Sequence, residues 1–141
     1  MAASAWLVYN EAKKFLVNGT VDLDTNVLTC KLFKGSSNAS TFTLSTLASV
    51  TVAVSGGYTG NKTLGTVVVT QGASAKQIKF DVAYFIFTAS GADMAAVKYA
   101  VIAVSGGKAI CWSKLSTTTF TVTSGNTLTV TLNASGIFTI T

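Results

Sequence analysis

The chain reads as a mainly β protein: an antiparallel β-sandwich or partly closed barrel with one N-terminal amphipathic helix. Three features lead there. Apolar segments of strand length recur at intervals of roughly ten residues. Clusters of Gly, Asn and Ser separate them, and a helical period appears once, near the start. Its 141 residues, 49% hydrophobic and 11% charged, are enough to bury one core without disulfides or metal, so residues 1–141 are expected to form a single β domain.

The helix is predicted over about residues 4–18. Ala5, Val8, Ala12, Phe15 and Leu16 recur at three- and four-residue steps, and Asn10, Glu11, Lys13 and Lys14 gather on the other side. Ser4 is placed to cap its start, and Asn18-Gly19 supplies residues that tolerate the left-handed conformation ending many helices. Strands are expected from about 26 to 141. Thr20–Asn26 reads as a polar turn leading into Val27–Lys34, and Gly35–Ser45 as a Ser/Asn/Thr-rich loop. Leu47–Ser55 resumes strand character, and the glycine-rich Gly56–Gly65 is expected to be a mobile connection.

Thr66–Gln71 and Lys76–Val82 then flank Gly72–Ala75 as a hairpin, with Ile78 and Phe80 on one face. Tyr84–Thr88 follows. Val97–Val104 and Lys108–Lys114 are apolar enough for the middle of a packed sheet. Phe120–Thr123, Thr127–Leu132 and Ile137–Thr141 complete the count. In Thr127–Leu132 the residues Leu128, Val130 and Leu132 alternate with threonines, the mark of a half-buried strand.

Most chemistry is poorly provided for. There is no histidine, and the carboxylates are Glu11, Asp22, Asp24, Asp81 and Asp93, so neither a Ser-His triad nor an evident carboxylate pair is present. No catalytic residue, cofactor or metal ligand is assigned. DLDTN begins like a calcium loop, yet Val27 and Phe33 stand where that loop requires glycine and glutamate; Asp22 and Asp24 are better read as turn and capping residues. SGGYTGNKTLG and SGGK lack the spacing of phosphate-binding loops, and the recurrence of VSGG at Val54 and Val104 is shared turn chemistry. Cys30 and Cys111, both inside predicted strands, are read as buried free thiols, with a disulfide between them as the alternative.

The net charge of +5 comes entirely from lysines, spread from Lys13 to Lys114 with no arginine, which argues against specific nucleic-acid binding and leaves an acidic protein surface as a possible partner. No apolar run approaches the ~20 residues that cross a bilayer, and MAASAWLV lacks the features of a secretory signal. Neither membrane insertion nor export by that route is expected. Without proline, the sheet edges must be covered by the helix, by lysines or by a neighbouring subunit.

The run Tyr9–Leu16, then Gly19–Thr25, then Lys31-Leu32-Phe33 with Ser37-Asn38-Ala39, resembles a family of small tailed-bacteriophage virion proteins. Gly125–Leu128 and Asn133–Phe138 fit the same family, so the likeness touches both ends of the chain. The resemblance implies a capsid decoration or cement protein: a homo-oligomer, dimer or trimer, made in the host bacterial cytoplasm and bound to the major capsid protein on the outside of the virion head. A tail or head-fibre component that meets the host surface is the alternative. Trp6, Tyr9 and Tyr58 are the candidate protein-contact residues, with core packing as the competing role for the first two.

Overall fold

The computed structural model describes residues 4–64, 67–71, 78–82, 84–105, 107–130 and 138–140. Within them the order is β1 (Leu7–Val8), α1 (Asn10–Val17), β2 (Leu28–Lys34), a 3-10 turn at Leu47–Ser49, β3 (Lys62–Thr63), β4 (Val67–Gln71), β5 (Ile78–Val82), β6 (Phe85–Thr88), β7 (Met94–Val104), β8 (Ala109–Lys114), β9 (Phe120–Val122), β10 (Thr127–Val130) and β11 (Phe138–Ile140). A strand apolar on both faces belongs inside a covered sheet. β7 and β8 are such strands, and they lie side by side in the main sheet, ordered β1-β8-β7-β2-β3. β9 pairs with the N-terminal end of β7, on the edge that β8 leaves free.

Two smaller antiparallel sheets, β6-β10 and β4-β5-β11, complete the architecture. None of the three closes on itself, so the fold is sandwich-like and not a barrel. β6 alternates buried Phe85 and Phe87 with exposed Ile86 and Thr88, as a half-buried strand must. Leu128 and Val130 turn inward while Thr127 and Thr129 stay exposed, as their alternation predicts. Leu132, the hairpin turn Gly72–Ala75 and the side chain of Ile78 lie outside the described residues.

One core cluster joins Leu28, Leu32 and Phe33 of β2 to Val97, Val101 and Ile102 of β7, Ile110 of β8 and Phe85 and Phe87 of β6. Each such side chain contributes about 1.5–3 kcal/mol by leaving water. Aromatic contacts tie β6 to the rest of the core: Trp6 meets Phe85 edge-on at 6.5 Å between centroids, and Tyr58 stacks on Phe87 at 5.9 Å.

The helix is shorter than the apolar spacing predicts. Leu7 and Val8 pair with Trp112 and Cys111 at the edge of the main sheet, so the helix begins at Asn10. Ser4 serves this strand and caps nothing: its N–H donates to Lys114 O (2.8 Å), and its Oγ accepts the Lys114 N–H (3.0 Å). The helix ends as predicted, with Gly19 at φ +73°.

Leu47–Ser55 also departs from expectation. It forms the 3-10 turn and then a single bridge, Phe33 to Ala53, because Val52 adopts φ 58° and breaks the extended backbone. Of the stretch Gly56–Gly65, whose composition suggests mobility, the described residues 56–64 are pinned. Gly57 N–H donates to Asp93 O (3.2 Å), Ser90 N–H donates to Gly57 O (3.0 Å), and Lys62–Thr63 pair with β2. A Cβ on Gly57 would collide with the carbonyl of Ala92. The second VSGG serves a different turn, in which Gly107 N–H donates to Val104 O (2.9 Å).

Candidate functional site

Tyr9 ends β1 and precedes the helix, so its side chain swings into the core. It is fully buried, and its hydroxyl donates to the carbonyl of Ala39 (2.5 Å) in the loop that follows β2. Burial, reinforced by Cys111, pushes its phenol well above the ordinary value. Tyr9 therefore offers a partner no surface. Trp6 is also buried, edge-on to Phe85.

Tyr58, for which only a contact role was expected, is half-buried. Its ring stacks on Phe87, and its Oη accepts the Leu32 N–H (3.4 Å) and donates to Asn61 Oδ1 (3.3 Å). Burial again raises its pKa, with the Leu32 bond opposing. All three candidates thus pack inward. Core packing was the competing role for Trp6 and Tyr9; the partner that holds Tyr58, Phe87, is distant in sequence, so the sequence alone did not reveal its role.

The cysteines are buried free thiols. Both stand opposite Ile102, Cys30 from β2 and Cys111 from β8, so a whole strand separates them. Neighbouring strands are ~4.8 Å apart, which places the two Cα atoms near 10 Å, beyond the reach of a disulfide. Burial raises both thiols well above their ordinary value, so neither is poised as a nucleophile. Asp22 closes its own turn by accepting the Asp24 N–H (2.9 Å), with the Asn26 side chain accepting the Asp22 N–H (2.9 Å). These are the turn and capping roles its sequence context indicates.

The surface offers apolar groups instead. Leu7 (38% exposed) and Phe42 (41% exposed) flank Trp112 on the main sheet: Leu7 stands opposite Trp112 in register, and the Phe42 ring meets it edge-on at 5.7 Å. Tyr99 continues the row, edge-on to Trp112 at 6.1 Å. Trp112 is 7% exposed, and its Nε1–H has no acceptor among the described residues. Tyr84, at 64%, and Ile86, at 42%, form a second exposed apolar pair beside and on β6.

The chain matches no protein-family model. No curated protein and no solved structure matches it either. Its candidate site is accordingly defined by physical character alone, as exposed apolar side chains on a sandwich-like body.

Sequence reasoning missed Leu7 and Phe42 for identifiable reasons. Leu7 was counted within a helix whose first residues are strand, and Phe42 lay in a loop with no period to signal its placement.

Proposed function

We propose that this protein is a bacteriophage capsid decoration, or cement, protein that binds the outer head surface and stabilises the shell by bridging major capsid subunits. The observation that carries the reading is the run Tyr9–Leu16, then Gly19–Thr25, then Lys31-Leu32-Phe33 with Ser37-Asn38-Ala39, which together with Gly125–Leu128 and Asn133–Phe138 resembles small tailed-phage virion proteins. The first three segments lie in the helix, the acidic turn and the second strand of the main sheet, so the likeness lies in the framework of the fold.

The mechanism is adhesive. A body that bridges neighbouring subunits resists the outward pressure of packaged DNA by burying apolar surface between them, and no bond is made or broken. Leu7, Phe42, Tyr84 and Ile86 supply apolar surface of that kind, and the common core beneath the sheets supports a stiff body. Edge strands that have no further pairing partner among the described residues, in a chain without proline, support association of copies into a dimer or trimer.

A second reading, a tail or head-fibre component that meets the host surface, draws on the exposed aromatic rings of Tyr84 and Phe42. Co-sedimentation separates the two. The cement reading expects saturable binding to purified expanded heads and none to tails or host cells. Binding to tails, or to cell-surface glycans by the isolated protein, would replace it with the second reading.

A further inference from the structure

The lysines look scattered along the chain, but strand order gathers them. The strands of the main sheet carry Lys31, Lys34, Lys62, Lys98 and Lys114 and no Asp or Glu. The backbones of three of these lie at one end of the sheet. Lys34 closes β2 opposite Val97, the residue before Lys98; Lys114 closes β8 opposite Tyr99, the residue after Lys98. Two strand spacings, ~10 Å, therefore separate the backbones of Lys34 and Lys114, and Lys98 lies between them.

The ends of these side chains are also constrained. Lys98 Nζ stands 5.8 Å from the centre of the Tyr99 ring, and Lys31 Nζ stands 5.5 Å from that of Phe33. The Lys98 stem runs alongside Gly35. Among the described residues the ion pair is Lys14 to Glu11 on the helix, far along the sequence from this corner, and no carboxylate neutralises Lys34, Lys98 or Lys114.

The same corner holds strained backbone. Val52 and Ala96 are the non-glycine residues with positive φ among the described residues, at 58° and 57°. Their carbonyls accept the N–H groups of Lys34 (2.9 Å) and Gly35 (3.0 Å). A β-branched residue in that region is a conformational outlier, and strain of this kind collects at functional sites. Lysines on neighbouring strand ends, without an ion-pair partner among the described residues and beside strained backbone, are arranged for something outside the chain.

We infer that the end of the main sheet bearing Lys34, Lys98 and Lys114 docks a carboxylate-rich protein surface. The identity of that surface as the outer face of the shell rests on the function proposed above. Lysines act as point charges suited to carboxylates, whereas nucleic-acid sites favour arginine forks and free aromatic faces. Here there is no arginine, and Phe33 and Tyr99 are buried beneath the lysines with no face free for a base. Val52, 44% exposed beside Lys34, adds an apolar contact at the corner.

The test measures binding of the full chain to purified expanded heads and, separately, to poly-glutamate and to a short DNA duplex, across a salt series. The triple variant Lys34→Glu/Lys98→Glu/Lys114→Glu should lose about tenfold to a hundredfold in affinity for heads and poly-glutamate at low salt and show a flatter salt dependence. Lys34→Gln/Lys98→Gln/Lys114→Gln should lose less, and Lys13→Glu, on the helix, should match the wild type. Far-ultraviolet circular dichroism confirms that each variant is folded. Failure of the wild type to bind heads would overturn the function while the poly-glutamate arm still judges the inference. Equal binding of poly-glutamate by wild type and triple variant would overturn the inference, as would tighter binding of the duplex than of poly-glutamate at equal salt.

Discussion

Removing the hydroxyl of Tyr9 tests how the start of the chain is locked to the rest. The ring is fully buried, and its hydroxyl donates to Ala39 O, itself buried in the loop after β2. Tyr9→Phe keeps the ring and leaves that carbonyl without its partner, which is expected to destabilise by about 1–3 kcal/mol. For a domain of 141 residues this lowers Tm by roughly 3–5 °C per kcal/mol, between the values for smaller and larger domains. Tyr9→Ala also empties the ring volume and should lose roughly 3–5 kcal/mol. Urea unfolding followed by Trp fluorescence reads both, since Trp6 and Trp112 are buried in the fold. The midpoint should fall with an unchanged slope. A Tyr9→Phe variant within about 0.5 kcal/mol of the wild type would refute the reasoning, because a typical surface change produces no more.

Three further outcomes follow from the same structure. Gly57→Ala places a methyl against the Ala92 carbonyl and should destabilise by about 1–3 kcal/mol or prevent folding, read by thermal melting, whereas Gly107→Ala, with nothing closer than Val104 O at 3.9 Å, should change little. At high pH, Cys30, Cys111, Tyr9 and Tyr58 all favour their neutral forms in the fold, chiefly through burial. Their folded-state pKa values lie above the unfolded ones, so stability is fully present below the ordinary thiol value of 9.0 and declines as pH rises past it. Cys30→Ala/Cys111→Ala should flatten the decline between pH 9 and 10 in a chemical-denaturation series, and the native thiols should not react with an aqueous thiol reagent. At low pH, Asp22 is held below its ordinary carboxyl value of 3.8, first by the Asp24 N–H and then by the Thr25 side chain. Its contribution is present above that value and lost as pH falls through the lower folded-state one. The Asp24 amide resonance should therefore shift in that acidic window in the wild type and show no such transition in Asp22→Ala.

The strands of β7, β8 and β10 could be read directly, because near-continuous apolar runs and strict alternation each have one physical explanation. Other elements carried conflicting signals. Ala5 and Val8 fit a helical spacing, yet Trp6 and Val8 also alternate with Leu7, and pairing with β8 decided for the strand. Leu47–Ser55 has the composition of a strand but contains the left-handed Val52, which composition does not reveal. The role of Tyr58 depended on Phe87, and the gathering of lysines depended on strand order; both are long-range pairings that a linear reading of one sequence does not fix. The buried state of the two thiols was legible because a small apolar residue within an apolar strand has one natural place.

On the proposed function, this protein reinforces a larger shell by sitting on it. The most direct measurement heats DNA-filled heads, stripped of the protein and then saturated with it, and records by dye fluorescence the temperature at which the genome escapes. The account predicts a higher escape temperature that reaches a plateau as binding saturates. Saturated heads that release their DNA at the same temperature as bare ones would contradict it.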